Sequence, residues 1–200
     1  MAVEKRILTD AMQTFRIEAE SLAETAKVLD AEAFGRAVEV LSKAPRIAAA
    51  GCGHTGIACR HFAHLMCCIE RPARFLSPPQ AVHGGMGFLQ PGDVMLLASR
   101  GGKTDELMPI ADICRKKGVT VIAVTENLSS PLAEKADIVL AMKVTRECDP
   151  YNCQGTTSFA VTCAIFDALQ VAVLEHTGFR NEEFAVIHPH GAVGKRLNQK

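Results

Sequence analysis

The chain has 200 residues, which is enough for one buried core and predicts a single domain. Its 22 basic and 22 acidic residues balance, and with one Tyr and no Trp this disfavours a nucleic-acid partner, because affinity for a phosphate backbone needs clustered cations. The N-terminus lacks the apolar core of a signal peptide, and the most apolar run, 159–174, reads as too polar for a membrane span, so we expect a cytoplasmic protein with no membrane partner.

Two helices are predicted before the first strand. Apolar residues recur at helical spacing over 4–29, which indicates one long amphipathic helix that packs outside the sheet or against another subunit. Asp30 is a suitable N-cap for a second helix over 31–41. We therefore expect residues 1–44 to form N-terminal helices of the single domain.

Five short apolar runs alternate with helical patterns along the rest of the chain. The predicted strands are 46–50, 72–76, 94–98, 119–124 and 138–141, and the predicted helices are 57–69, 104–117, 130–135, 156–176 and 182–187. Thr104 and Asn181 are the expected N-caps of two of these helices. The alternation is typical of an α/β fold whose helices cover both faces of a parallel sheet, and such sheets bind ligands at the carboxyl ends of their strands.

Two of the strand-end loops are rich in glycine. The first reads G-C-G-H-T-G at 51–56 and has the spacing of a dinucleotide fingerprint, but the acidic residue expected about 20 positions later is missing, so a nucleotide site is disfavoured. The second reads S-R-G-G-K-T at 99–104 and leads directly into a predicted helix, where free N–H groups and the helix dipole favour an anion. We interpret it as a phosphate site, with an ordinary βα turn as the alternative.

Three sets of polar side chains at element ends suit catalysis or binding. The hydroxyls suit a phosphate, with helix capping as the alternative: Thr55, Ser99, Thr104, Thr156, Thr157 and Ser158. The histidines suit proton exchange, although any one of them can be structural: His54, His83, His188 and His190. Of the carboxylates, Glu147 fits a base that moves a proton alpha to a carbonyl, whereas Glu106 also fits an ordinary first helical turn. Cys148 and Cys153 form only a weak zinc pattern, so no metal is expected.

Several blocks occur in the order and spacing of known motifs. G-C-G-H-T-G (51–56) is similar to G-M-G-K-S-G, A-V-H-G-G-M-G (81–87) to A-x-H-G-D-L-G, and S-R-G-G-K-T-D-E (99–106) to S-N-S-G-E-T-x-E. R-E-C-D-P (146–150) is similar to R-E-A-C-P, and G-T-T-S (155–158) to P-T-x-S. The block at 178–197 is long and specific. By these motifs the chain resembles the SIS (sugar isomerase) domain family, and within it the arabinose-5-phosphate isomerases.

The resemblance implies a three-layer α/β/α sandwich with a five-stranded parallel sheet of flavodoxin-like order. It also implies a homo-oligomer, a tetramer or dimer, with active sites shared between subunits. The implied activity is the aldose–ketose isomerisation of D-arabinose 5-phosphate and D-ribulose 5-phosphate through an enediol, without a cofactor. The family's catalytic set falls at His54, His83, Glu106, Glu147 and His188. The implied phosphate-binding set falls at Thr55, Ser99, Gly101, Gly102, Thr104, Thr156, Thr157 and Ser158.

The chain departs from the family pattern at a few positions. His54 stands where the family has lysine, Arg100 and Gly101 replace asparagine and serine, Lys103 replaces glutamate, and Gly85 replaces aspartate. We interpret Arg100 and Lys103 as added positive charge beside the phosphate. The alternatives are an isomerase of another sugar phosphate, such as a hexulose 6-phosphate, or a non-catalytic sugar-phosphate-binding regulator. The paired nucleotide-sensing domains that many members carry are absent from this sequence, so we expect no regulation through them.

Overall fold

A parallel sheet forms the centre of the molecule in the computed structural model, which describes residues 2–199. Its strands are β1 (Ile47–Ala50), β2 (Ala73–Phe75), β3 (Val94–Ala98), β4 (Thr120–Thr125) and β5 (Ile138–Ala141). They lie in the order β2-β1-β3-β4-β5, and every neighbouring pair is parallel. The predicted flavodoxin-like order is confirmed, and the ends of the five predicted strands differ from the observed ones by at most one residue.

The helices connect and cover these strands. They are α1 (Ala2–Val28), α2 (Ala31–Lys43), α3 (Gly53–Cys67), α4 (Pro78–Val82), α5 (Met108–Lys117), α6 (Pro131–Lys135), α7 (Thr157–Thr177), α8 (Asn181–Ile187) and α9 (Gly191–Asn198). A short 3-10 turn, Asp105–Leu107, precedes α5. Helix α3 begins four residues earlier than predicted, directly after β1.

The predicted N-caps have mixed outcomes. Asp30 accepts a hydrogen bond from Ala33 N at 2.8 Å and caps α2 as expected. Thr104 does not cap the turn that follows it, and its hydroxyl contacts Ser99 Oγ instead. Asn181 is the first residue of α8 rather than its cap, because Arg180 N donates to Glu183 Oε2 at 2.7 Å and so closes the turn one residue earlier.

Two apolar cores lie on the two faces of the sheet and make three layers. Alternate residues of each strand enter each core, as Ala49 and Leu96 do on one face and Ala50 and Leu97 on the other. The first core includes side chains of α2, α3 and α7, and the second includes side chains of α4, α5 and α6. This two-sided burial explains why β3 is apolar throughout rather than alternating.

Helix α7 is the one helix among residues 2–199 that is long and apolar enough to cross a membrane, with a mean hydropathy of 1.7. The sequence-based statement that this segment is too polar for a span is therefore wrong on composition. The helix packs against α1, α2 and α3, and it carries Phe166, which stacks on Phe62 with ring centroids 4.9 Å apart. A long core helix meets the same length and composition criteria.

Candidate active site

The loop after β3 presents two hydroxyls and a tight glycine turn at the carboxyl edge of the sheet. Ser99 Oγ and Thr104 Oγ1 are 2.8 Å apart, and Gly102 N donates to Ser99 Oγ at 3.2 Å. Gly102 is in the left-handed region with φ of +63°. The segment after β1, where Thr55 lies in the first turn of α3, is beside this loop, because β1 and β3 are neighbours at the point where the strand order reverses. A flavodoxin-like sheet binds its ligand at this point.

A cleft of about 370 Å³ opens between the loops after β1, β2 and β3. Glu106 lines it from the β3 side, and Cys52 and Arg60 line it from the β1 side. Burial raises the pKa of the Cys52 thiol, and the nearby negative charge of Glu106 raises it further. Arg60 lies over the ring of Phe75, 4.1 Å from the centroid. Glu106 therefore lines the cleft opposite Arg60.

Glu147 is nearly fully buried after β5 and binds donors from two elements. Its Oε1 accepts from Arg100 Nη1 at 2.8 Å. Its Oε2 accepts from Ser158 N at 3.1 Å and from the Thr156 hydroxyl at 3.3 Å. The carboxylate thus lies at the N-terminus of α7, where the helix dipole and the free N–H groups favour an anion.

The hydroxyls at the start of α7 have partners other than those predicted. The sequence predicted Thr156, Thr157 and Ser158 as phosphate ligands. In the structure Thr156 and Ser158 bind Glu147, and the buried Thr157 hydroxyl lies 3.2 Å from Cys148 Sγ. A phosphate at these groups would meet the Glu147 carboxylate, so the contacts favour the Ser99–Thr104 loop as its anchor.

Arg100, interpreted from the sequence as added positive charge beside the phosphate, is paired with two carboxylates in the structure. Its Nε donates to Glu126 Oε2 at 2.9 Å, and its Nη1 donates to Glu147. Burial raises the pKa of the Glu126 carboxyl, but hydrogen bonds from Arg100, Val144 N and Lys143 outweigh burial and hold this pKa below its ordinary value. The guanidinium charge is therefore shared between two carboxylates. Lys103, in contrast, is exposed.

His54 lies in the first turn of α3, and its ring contacts residues at the start of α7. Its ring packs on Gly155, where an added Cβ would lie 3.2 Å from His54 Nδ1, and it makes an edge contact with Phe159 at a centroid distance of 6.5 Å. Because Gly155 precedes Thr156, His54 is a near neighbour of the Glu147 site. His83 ends α4 at the same edge of the sheet and is exposed.

His188 lies at the other end of the molecule. Helix α7 has 21 residues and is about 30 Å long, and α8 follows its far end. Phe184 of α8 lines a cavity of about 250 Å³ together with Cys68 and Leu174, at the C-terminal ends of α3 and α7. Within residues 2–199, His188 Nδ1 is buried without a hydrogen-bond partner. One copy of the chain therefore places His54, Ser99, Thr104, Glu106 and Glu147 at the carboxyl edge of the sheet, and His188 beyond the far end of α7.

Several residues that form hydrogen bonds with the loop carrying Glu147 were not predicted from the sequence. In α1 the buried Ser21 accepts from Thr145 N at 3.1 Å, and the buried Thr25 accepts from Lys143 N at 3.0 Å. Asn152, with φ of +57°, accepts from Glu147 N at 2.7 Å. Glu126 follows β4 directly, and the rule that ligands meet strand ends would have identified it. No sequence pattern indicated that α1 would reach this loop. Among residues 2–199, no group of three His, Cys, Asp or Glu side chains could hold a metal ion.

Comparisons with known proteins concern the family and the fold of the chain. The SIS domain family model matches residues 40–172. The chain is 32% identical to "Arabinose 5-phosphate isomerase KpsF" of Escherichia coli over 98% of its own length and 62% of that relative. The chain thus spans between about half and three-fifths of the length of the curated relatives it matches.

Two solved structures share the fold over nearly their full length. A Listeria monocytogenes protein is 40% identical and superposes with a TM-score of 0.90, covering 93% of this chain and 98% of that one. An Escherichia coli CFT073 protein, solved in complex with arabinose 5-phosphate, is 25% identical with a TM-score of 0.87, covering 92% of this chain and 98% of that one. The three-layer fold predicted from the sequence is confirmed.

Proposed function

The chain belongs to the SIS domain family, and from this premise we propose that it is an aldose–ketose isomerase of sugar phosphates. The proposed reaction interconverts D-arabinose 5-phosphate and D-ribulose 5-phosphate through an enediol. The similarity to the arabinose 5-phosphate isomerases supports the substrate class. The observation that carries the proposal is the juxtaposition of a hydroxyl loop, Ser99–Thr104, with the carboxylates Glu106 and Glu147 at one edge of the sheet.

The phosphate binds the Ser99–Thr104 loop. The Ser99 and Thr104 hydroxyls, which are hydrogen-bonded to each other, turn toward the phosphate oxygens, and Thr55 approaches from the first turn of α3. The backbone of Gly101 and Gly102 lets the anion come close, since neither residue has a side chain in the way. Thr156 and Ser158 act by holding Glu147, and direct phosphate binding by Thr156–Ser158 stays a prediction.

Glu147 is the base that moves a proton between C1 and C2 of the open-chain sugar. Its burial and its fixed donors keep the carboxylate in one orientation, which a proton transfer over a short distance requires. Glu106, facing the cleft, and His54, beside Gly155, position and polarise the sugar oxygens. His83 or His188 assists ring opening or shuttles protons at the oxygens, and His188 is the second candidate for the base.

His188 reaches such a site only from another copy of the chain, because α7 separates it from Glu147. We therefore propose that the protein forms a homo-oligomer, a tetramer or dimer, whose active sites are shared between subunits. Exposed apolar side chains on α1, among them Ile7, Leu8 and Phe15, provide a surface for such contacts. The proposal also places residues 1–200 in one SIS domain with N-terminal helices, and the protein in the cytoplasm.

Solvent isotope exchange tests the function directly. Pentose and hexose phosphates are incubated with the protein in D₂O, and NMR follows deuterium at C2 of the aldose together with formation of the other sugar. Exchange with arabinose 5-phosphate, strongly reduced but still measurable in E147Q, is the expected result. Full turnover in a folded E147Q protein would show that Glu147 is not the base. If exchange occurs only with a hexulose 6-phosphate, that sugar is the substrate and the protein is still a sugar-phosphate isomerase.

A non-catalytic sugar-phosphate-binding regulator is the second candidate. The observation that favours it is the full engagement of Glu147 by Arg100, Thr156 and Ser158, together with histidine at position 54 where the family has lysine. Such a protein gains thermal stability from sugar phosphates without incorporating deuterium. The same incubations, combined with melting curves, separate the two functions.

A further inference from the structure

We propose that Arg100 is a positioning residue that fixes Glu147 and couples it to the phosphate loop; this rests on the function proposed above. Arg100 belongs to the loop between Ser99 and Thr104, yet its side chain leaves that loop and binds Glu147 Oε1 at 2.8 Å. The residue thus joins the segment that anchors the substrate to the segment that carries the base.

The charges around Arg100 explain why this position needs a guanidinium. Glu147 has only 4% of its side chain exposed, and Arg100 is the cation that contacts it. A buried carboxylate without a partner is costly, so the ion pair determines where the Glu147 carboxylate lies. Glu126 binds the Nε edge of the same guanidinium at 2.9 Å. The planar guanidinium presents donors on two edges in a fixed geometry, so it binds both carboxylates at once, which a lysine ammonium does with less geometric precision.

The backbone of Arg100 is fixed as firmly as its side chain. Its carbonyl oxygen accepts from Glu126 N at 2.9 Å and from the Thr125 hydroxyl at 3.0 Å. Glu126 Oε1 in turn accepts from Val144 N at 3.2 Å, three residues before Glu147. The loops after β3, β4 and β5 therefore form one hydrogen-bonded unit whose centre is Arg100.

The family motif has asparagine at this position, and asparagine is too short and lacks the charge to join two carboxylates. In this chain the phosphate loop and the base thus have a direct connection. When the substrate phosphate binds Ser99–Thr104, the hydrogen bond from Arg100 holds the Glu147 carboxylate at a fixed distance from that loop, and therefore beside the sugar carbons. A misplacement of about 1 Å at a catalytic group can cost roughly 100-fold in rate.

A double-mutant cycle in turnover tests this role. R100M is expected to lower kcat about 10- to 100-fold, with KM changed less than about threefold. R100K, which keeps the charge but not the planar fork, is expected between R100M and wild type. R100M combined with E147Q is expected to be no slower than E147Q alone, because Arg100 acts through Glu147. R36M is the matched control, since Arg36 is exposed and its guanidinium donates to the Asp137 carbonyl, away from the site.

Two results in this cycle would overturn the proposal. One is wild-type kcat in R100M. The other is a double variant whose loss equals the product of the two single losses, which would mean that Arg100 acts independently of Glu147. If R100M does not fold, R100Q retains an N–H donor and replaces it in the cycle.

Amide hydrogen exchange tests the assignment without turnover. Ser158 N donates to Glu147 Oε2, so its protection reports whether the carboxylate is held in place. Faster exchange of Ser158 in R100M and in E147Q, but not in R36M, is expected. Unchanged protection in R100M, with reduced protection in E147Q, would refute the positioning role. An inactive wild type with this exchange pattern would reject the isomerase function and leave the role of Arg100 standing.

Discussion

Gly102 and Ser130 pack against each other so closely that a Cβ on Gly102 would overlap the Ser130 hydroxyl. The contact joins the Ser99–Thr104 loop, the proposed phosphate loop, to the start of α6, where Ser130 Oγ accepts from Ala133 N at 3.3 Å. Leu132 N also donates to the Gly102 carbonyl at 3.2 Å. The conformation of the phosphate loop is therefore set by the neighbouring βα unit.

G102A is expected to destabilise the protein and to weaken phosphate binding strongly. The substitution adds an overlap with Ser130 to a residue at φ of +63°, and a left-handed non-glycine residue alone costs on the order of 1–3 kcal/mol. Urea unfolding and the shift of the melting temperature by inorganic phosphate measure the two effects. A variant with wild-type stability would contradict the contact.

G101S is expected to have the opposite effect on binding. An added Cβ at Gly101 meets no atom within 4 Å, so serine fits and restores a hydroxyl beside Ser99 and Thr104. One further hydrogen bond to a charged ligand is expected to tighten phosphate binding by about 3- to 10-fold. Calorimetry with inorganic phosphate and with arabinose 5-phosphate measures this, and G101A is the control that adds the methyl group only. Equal affinities in G101S and G101A would mean that the phosphate lies elsewhere.

E126Q is expected to make stability less dependent on acid pH. Because the folded-state pKa of Glu126 lies below its ordinary value of 4.5, the ionised carboxylate stabilises the fold above that pH, and this contribution is lost as pH falls through the folded pKa. E126Q should therefore be less stable than wild type at pH 7, and the difference should shrink below about pH 4. Urea unfolding across this range checks the prediction, with E32Q in the exposed part of α2 as the control. A difference that stays constant with pH would contradict the sign.

E106Q is expected to speed the alkylation of Cys52. Burial is the larger cause of the raised pKa of Cys52, and the negative charge of Glu106 adds to it. Removing that charge lowers the pKa, so more thiolate forms near pH 8 and iodoacetamide reacts a few-fold faster. Mass spectrometry quantifies Cys52 against Cys68, whose raised pKa has other causes. An unchanged ratio would place Glu106 outside the cleft.

Mixed oligomers test whether active sites are shared. E147Q and H188A are each expected to be nearly inactive, because each removes one member of the proposed site. Co-refolding the two variants should restore a fraction of the activity, since some interfaces then combine an intact Glu147 with an intact His188 from another copy. Cross-linking the same mixtures reports oligomer formation. Mixed oligomers without activity would confine the site to one subunit.

Local sequence patterns were sufficient for the five strands, and the resemblance to the family gave their order. All five strands and their order follow from apolar runs, glycine turns and motif resemblance, because strands buried on both faces have a continuous apolar pattern that is hard to mistake. Caps were less predictable, as Thr104 and Asn181 illustrate. A capping residue competes with any other partner that the fold brings near, and Ser99 provided one for Thr104.

The sequence by itself determined the α/β class, the glycine loop at 99–104 that follows β3, and the positions of Glu106 and Glu147 in segments that follow strands. Only the tertiary structure decided what those groups contact. In the structure Arg100 binds Glu126 and Glu147. The N-terminus of α7 binds the Glu147 carboxylate. Ser21 and Thr25 of α1 accept hydrogen bonds from the loop that carries Glu147. The structure also separates His188 from the other candidates by the length of α7. The physical reason is that strand-end position depends on local pattern, whereas ion pairs and buried or part-buried hydrogen bonds join residues up to 134 positions apart.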